Sequence, residues 1–193
     1  MISMTTPKTP ITARVKRLKT QMVGKTVPKQ YHGNVGRFIE TGLARNGHKV
    51  NKGKGIDLPE EGLEVKSRKT ESTSAHTIGS ITRDDIKTTL WNDTNLKAKC
   101  QRQYRVSYSD NESIIKEAKI YDLTDPYIQE KFEEGYEAGR KLIIKGDNGD
   151  YIRGSKWGYF EKQTDNSYQY RIPHGAMKTI LSTAGNNFGD LFK

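Results

Sequence analysis

Gly55-Ile56-Asp57-Leu58-Pro59-Glu60-Glu61-Gly62-Leu63-Glu64-Val65-Lys66-Ser67-Arg68 is the stretch on which the fold turns. Side chains two residues apart on a strand share a face, so a strand here projects Glu64 and Lys66 together while Leu63 and Val65 turn to the core. Asp57 then arrives from a neighbouring turn. Two carboxylates can share a hard cation that takes oxygen ligands, keeps several waters, polarises a phosphoryl oxygen and acidifies a water. Two jobs are open to the Lys66 ammonium: orienting the attacking water, or offsetting the negative charge that builds on the phosphate in the transition state. The competing reading is an acid-x-Lys on a solvated sheet face, since Asp, Glu and Lys are abundant throughout the chain.

The pattern resembles the PD-(D/E)XK nuclease superfamily, the restriction-endonuclease-like group, with Ile56-Asp57 standing where many members have Pro-Asp. Its spacing looks most like that of MutH-type mismatch-repair nicking endonucleases and the type II restriction enzymes related to them. The resemblance implies an α/β fold with a mixed β-sheet flanked by helices. It also implies a Mg2+ ion, for which Mn2+ can substitute, held by Asp57 and Glu64, with the backbone carbonyl of Val65 completing the shell.

Upstream, Val35, Phe38, Ile39 and Leu43 recur at helical spacing. A helix preceding the catalytic strands, with an acid near its end, is what the resemblance implies, and Glu40 matches. Glu40 binds the metal directly or through water, holds a neighbouring ligand, or is simply an exposed helical carboxylate. The link to Asp57 carries Gly47, Gly53 and Gly55 and the cations Arg45, Lys49, Lys52 and Lys54, a composition suited to lying along a phosphate backbone.

Beyond Lys66, the hydroxyl-rich run from Ser67 to Ser74 reads as a turn, and 77–82 as a second strand pairing back on the first. Arg68, Lys69, His76 and Arg83 there are candidate contacts to phosphates and base edges, against the alternative of an ordinary polar hairpin. Residues 95–105 form a cationic helical run leading into a strand at Val106-Ser107-Tyr108. In MutH-like proteins a lysine on such a helix approaches the active site, and Lys97 and Lys99 match equally.

An amphipathic helix is expected from Asp125-Pro126 through Ile143, its acidic face to solvent. A hairpin follows over 157–172, turning at Asp165-Asn166-Ser167, with most of its aromatics in the core. Arg153, Lys156, Arg171, His174 and Lys178 around it form a candidate second DNA-contacting surface.

Composition bounds the alternatives. The 193 residues suffice for one domain with a core, read here as a nuclease domain over 31–193 preceded by a basic arm or packed amphipathic helix over 1–30. Lys plus Arg total 33 against 23 Asp plus Glu, a net charge of +10 that favours a polyanionic partner. The single Cys100 excludes an internal disulfide and a cysteine-rich zinc site, and reads as an inert thiol. No apolar run approaches membrane-spanning length and no signal-peptide pattern opens the chain, so a cytoplasmic protein without a membrane partner is expected.

Together these readings describe a Mg2+-dependent DNA endonuclease, of type II restriction-like site-specific character, with Asp57, Glu64, Lys66 and Glu40 at its catalytic centre. A homodimer or partner subunit is required if both strands are cut; a monomer would nick. The rivals are a nicking or structure-selective phage or repair nuclease, and a non-catalytic nucleic-acid-binding module.

Overall fold

Apolar residues at alternate positions along the strands, and three or four apart along the helices, sort the chain into two cores, each built on its own sheet. The structure, a computed structural model, describes residues 11–185, with the backbone alone for residues 11 and 12. The fold is mixed α/β. One three-stranded sheet has the order β1-β3-β4 (β1 Glu64–Lys69, β3 Arg102–Ser109, β4 Ile114–Asp122), and a four-stranded antiparallel sheet has the order β2-β7-β6-β5 (β2 His76–Thr82, β5 Tyr151–Ser155, β6 Gly158–Thr164, β7 Ser167–Ile172). The helices are α1 Ile11–Gln21, α2 Val35–Arg45, α3 Arg83–Thr88, α4 Asn95–Lys99, α5 Pro126–Ile144 and α6 His174–Ala184.

The first sheet is mixed: β1 runs parallel to β3 with Glu64 opposite Gln103 and Lys66 opposite Arg105, and β3 runs antiparallel to β4. Helices α1 and α2 cover it through Val15, Leu18, Met22, Ile39 and Leu43, which meet Leu58, Leu63, Tyr104 and Ile115 in one fully buried cluster. Of the two readings of the N-terminal segment, α1 is the packed helix. The Tyr104 hydroxyl donates to Leu18 O at 2.7 Å, Val27 N donates to Ser113 O at 2.6 Å, and Val15, Leu18, Met22 and Val27 are members of this core. Burying Val15, Leu18 and Met22 contributes about 1.5–3 kcal/mol each. The first ten residues of the expected arm, and residues 186–193, lie outside the described residues.

The second core gathers Trp91, Phe132, Tyr136, Phe160, Tyr168, Tyr170 and Met177 under α5 and α6. Helix α5 starts at the expected Asp125-Pro126, where the Asp125 carboxylate accepts from Tyr127 N. It lies so close to the sheet that a Cβ on Gly135 would stand 2.7 Å from Gly158 N and 2.6 Å from the Tyr170 hydroxyl. Its acids Glu130, Glu133 and Glu134 are exposed, but Glu137 turns inward and accepts from Trp91 N at 3.1 Å.

Two expectations are corrected. The strand at 77–82 does not pair back on β1: β2 pairs antiparallel with β7, His76 opposite Ile172 and Thr82 opposite Ser167. Ile78 is buried in the second core and draws β2 away, while the Arg68 guanidinium donates to the carbonyls of Ser72 and Ser74 and pins the intervening loop open. One mixed sheet therefore becomes two. The helical run over 95–105 stops at Lys99 and β3 begins at Arg102, because Tyr104 and Val106 at alternate positions enter the first core.

Candidate active site and nucleic-acid cleft

Strand β1 places Glu64 and Lys66 on one face, and the short β-bridge between Leu58 and Leu63 folds the preceding loop back so that Asp57 lies beside the strand's start. Asp57 Oδ2 accepts from Val65 N at 2.9 Å, which fixes the carboxylate against the strand. Glu64 is 2% exposed, and its Oε1 accepts from Lys66 Nζ and from Lys99 Nζ, each at 3.0 Å. Its Oε2 is buried with no hydrogen-bond partner.

Lys66 also donates to Ile78 O at 3.0 Å, bridging the two sheets. The choice left open between Lys97 and Lys99 is resolved: Lys99 reaches Glu64, whereas Lys97 donates to Asn92 Oδ1 at 2.9 Å. Helix α4 is aimed by its N-cap, where the Thr94 hydroxyl accepts from Lys97 N. Buried Leu96 and Cys100 then bring Lys99 to the cleft side. Cys100 is fully buried and its thiol is pushed well above the ordinary range by that burial, in keeping with an inert side chain.

Glu40, on α2, belongs to the same electrostatic group. Burial, then the charges of Asp57 and Glu64, raise its pKa above the ordinary carboxylate value. Burial and Glu64 likewise raise that of Asp57, against the pull of the Val65 N–H, Lys99 and Lys66. Carboxylates that resist ionisation in each other's company favour a cation between them. Among the described residues no three such donors form a ready-made metal cage. Mg2+ does not need one, because it is held through one or two carboxylates and keeps its remaining waters. Asp57 with the unpartnered Glu64 Oε2 fits that requirement.

Asp57 and Glu40 line a cavity of about 650 Å3 beside α2. That cavity shares Gly53 of its wall with the cleft between β1 and β2, a cavity of about 830 Å3 whose lining includes Lys54, Lys66, Arg68, Lys69, His76 and Lys99. The other cations expected to contact nucleic acid are spread more widely. Arg83 turns inward, donating to the Tyr168 hydroxyl at 2.9 Å and to Asp147 O at 2.7 Å, and so ties α3 to the loop after α5. Arg171 is paired with Glu161 and donates to Ala75 O at 3.0 Å. The Arg153 guanidinium lies 4.2 Å from the Tyr159 ring centroid, on the second sheet. His174 opens α6 and meets His76, its Nδ1 being 3.0 Å from His76 Nε2.

Sequence reasoning missed Arg105, which faces the cleft beside His76, and the buried group formed by Arg14, His48 and Glu61. There His48 lies between Glu61 Oε1 at 3.1 Å and Gln21 Oε1 at 2.9 Å, fastening α1 to the loop before β1. The alternation of buried Tyr104 and Val106 around Arg105 was the available signal for the first; nothing local marks the second. No protein-family model matches this chain, and no curated protein matches it significantly. No helix among the described residues is long and apolar enough to cross a membrane.

Proposed function

We propose that the protein is a Mg2+-dependent DNA endonuclease with a restriction-endonuclease-like core, hydrolysing phosphodiester bonds in the cleft between β1 and β2. The observation that carries this reading is the buried Glu64 carboxylate, one oxygen held by two lysines and the other without a partner, with Asp57 fixed beside it. Mg2+ bound there would act as a Lewis acid on a phosphoryl oxygen and lower the pKa of a water.

The chain's own residues supply the rest. Asp57 and Glu64 would hold the cation, with Val65 O at hand on the same strand as Glu64, and Glu40 adds negative charge on the α2 side. Lys66 and Lys99, both on Glu64 Oε1, would be freer to leave it with a cation sharing that carboxylate's charge. Either ammonium can then face the phosphate and offset the charge that grows as water attacks phosphorus and the P–O bond to the leaving strand breaks. The basic lining of the cleft, with a net charge of +10 over the chain, favours DNA as the polyanion. A second active site, from a homodimer or a partner subunit, is needed for double-strand cleavage.

A second reading has its own support: Lys66 and Lys99 already balance Glu64, as they would in a nucleic-acid-binding module that uses this cluster only for structure. Incubation with supercoiled plasmid separates the two. Mg2+-dependent conversion, blocked by EDTA, is expected of the nuclease: discrete linear fragments for a site-specific double-strand cutter, open circles for a nickase. Plasmid that is bound but never converted would favour the binding module.

A further inference from the structure

Next to Lys66, a cavity of about 420 Å3 shares Arg68, His76 and Arg105 with the wall of the cleft and adds His174 and Lys178 to them. The groups on its floor form a chain whose direction follows from chemistry. A guanidinium only donates, so the contact at 2.6 Å from Arg105 NH2 makes His76 Nδ1 an acceptor. The proton of His76 then sits on Nε2 and is donated to His174 Nδ1 at 3.0 Å. Arg68 NH2, whose hydrogens go to Ser72 O and Ser74 O, lies 3.3 Å from the same His174 nitrogen. Both imidazoles are thereby neutral and oriented, and the N–H on His174 Nε2 is left over at the end of the chain. The two rings lie parallel, 4° between planes and 5.3 Å between centroids.

What this floor lacks is negative charge. Besides His76, Arg105 bonds to Gln103 Oε1 at 2.6 Å, and Arg68 bonds to two backbone carbonyls. Neither guanidinium has a carboxylate partner among the described residues. Burial pushes the Arg105 pKa down to about 10 and that of His76 down to about 2, with the neighbouring guanidiniums adding to the second shift. The two carboxylates at the cavity are otherwise engaged: Glu117 is paired with Lys119 at 2.7 Å, and Glu71 accepts from the Thr70 hydroxyl at 2.8 Å. His174 also begins α6, an 11-residue helix whose N-cap, Pro173, offers no side-chain cap, so its first-turn N–H groups add positive potential.

We infer that this cavity is a phosphoryl-group site, in which Arg105, Arg68 and the His174 Nε2–H bind the oxygens of a phosphate. Two guanidiniums without a carboxylate partner, together with an imidazole N–H, suit a tetrahedral oxyanion with several acceptor oxygens. The volume leaves room for the group that carries the phosphate. Lys66 lines both this cavity and the cleft, which makes a nucleotide next to the scissile position the natural carrier. That identity rests on the nuclease reading, but the affinity for a phosphoryl group does not.

The test is a titration of the full chain with inorganic phosphate, without Mg2+ and at ionic strength matched with chloride, reading the imidazole 15N signals of His76 and His174 by NMR. Saturable perturbation of the His174 ring is expected, weakened at least about tenfold in Arg105→Gln. Should that variant lose its fold by circular dichroism, Arg68→Gln carries the same expectation. Unmoved ring signals, or affinity unchanged in the folded variants, would overturn the site. A 5′-phosphorylated and a 5′-hydroxyl oligonucleotide distinguish the carrier: the same ring response to both assigns an internal phosphodiester, and a response to the first alone assigns a terminal phosphate. Because no metal or cleavage is involved, a protein that fails as a nuclease still passes or fails this test by itself.

Discussion

Glu64→Gln separates the structural and the metal-binding roles of the central carboxylate. Glu64 is 2% exposed, and Oε1 accepts from two ammoniums at 3.0 Å. A glutamine can keep an acceptor near Oε1, but both hydrogen bonds lose half of their charge assistance. The lysine side chains are 20% and 21% exposed, so solvent moderates the effect, and the metal-free variant should lose about 1–2 kcal/mol. For a chain of this size that is a fall in Tm of roughly 2–8 °C. Mg2+ widens the gap. At a hundred times its Kd the ion stabilises wild type by about 2.7 kcal/mol, a rise of roughly 5–11 °C, and it should leave the variant nearly unmoved. Differential scanning fluorimetry over a Mg2+ series, with Ca2+ and EDTA for comparison, measures both effects. An equal Mg2+ response in wild type and variant would refute Glu64 as a ligand. A metal-free variant more stable than wild type would refute the claim that the two lysines stabilise through it.

Other outcomes follow from the same geometry. The pKa values of Asp57 and Glu40 are raised on folding, so the stability these groups contribute is present below the ordinary carboxylate pKa and lost as pH rises through their folded values. At neutral pH Asp57→Asn should therefore raise the Tm of the metal-free protein while abolishing its Mg2+ response, with the Asn oxygen still accepting from Val65 N. Glu61 behaves oppositely. Burial raises its pKa, but the His48 hydrogen bond and charge, with Arg14, outweigh that and hold it below the usual range. Its stabilisation is present above the ordinary carboxylate value and disappears as pH falls through the folded one. Glu61→Gln should lower Tm near neutral pH, and the difference from wild type should close in acid. Gly135→Ala, which drives a methyl group against the backbone of Gly158, should cost about 1–3 kcal/mol in denaturant unfolding and leave Mg2+ binding intact.

Local pattern carried much of this fold. The alternation around Glu64 and Lys66, the capped periodic runs of α2 and α5, and the hairpin of β6 and β7 are all decided by residues within a few positions of one another. The partner of β2 was not legible, because its choice of β7 depends on Ile78 joining a core whose other buried members, Ile86 apart, lie more than ten residues away in sequence. Lys99 was half legible. Leu96 and Cys100 flank the correct helical face, but only the end of α4 at Lys99 and the start of β3 at Arg102 bring that face to Glu64. Arg105 closed the expected helical run and drew no notice, since a lone arginine becomes meaningful only once it lies between buried positions of β3 and His76, Arg68 and His174 arrive from other elements.

The most direct test of the nuclease account compares cleavage and binding on one labelled DNA for wild type and Lys66→Ala, with Mg2+ for cleavage and Ca2+ for a gel shift. The account predicts cleavage by wild type, a loss of about a hundredfold or more in the variant, and binding retained within roughly threefold. Wild type that binds DNA without cutting it, or a variant that cuts as fast as wild type, would contradict it.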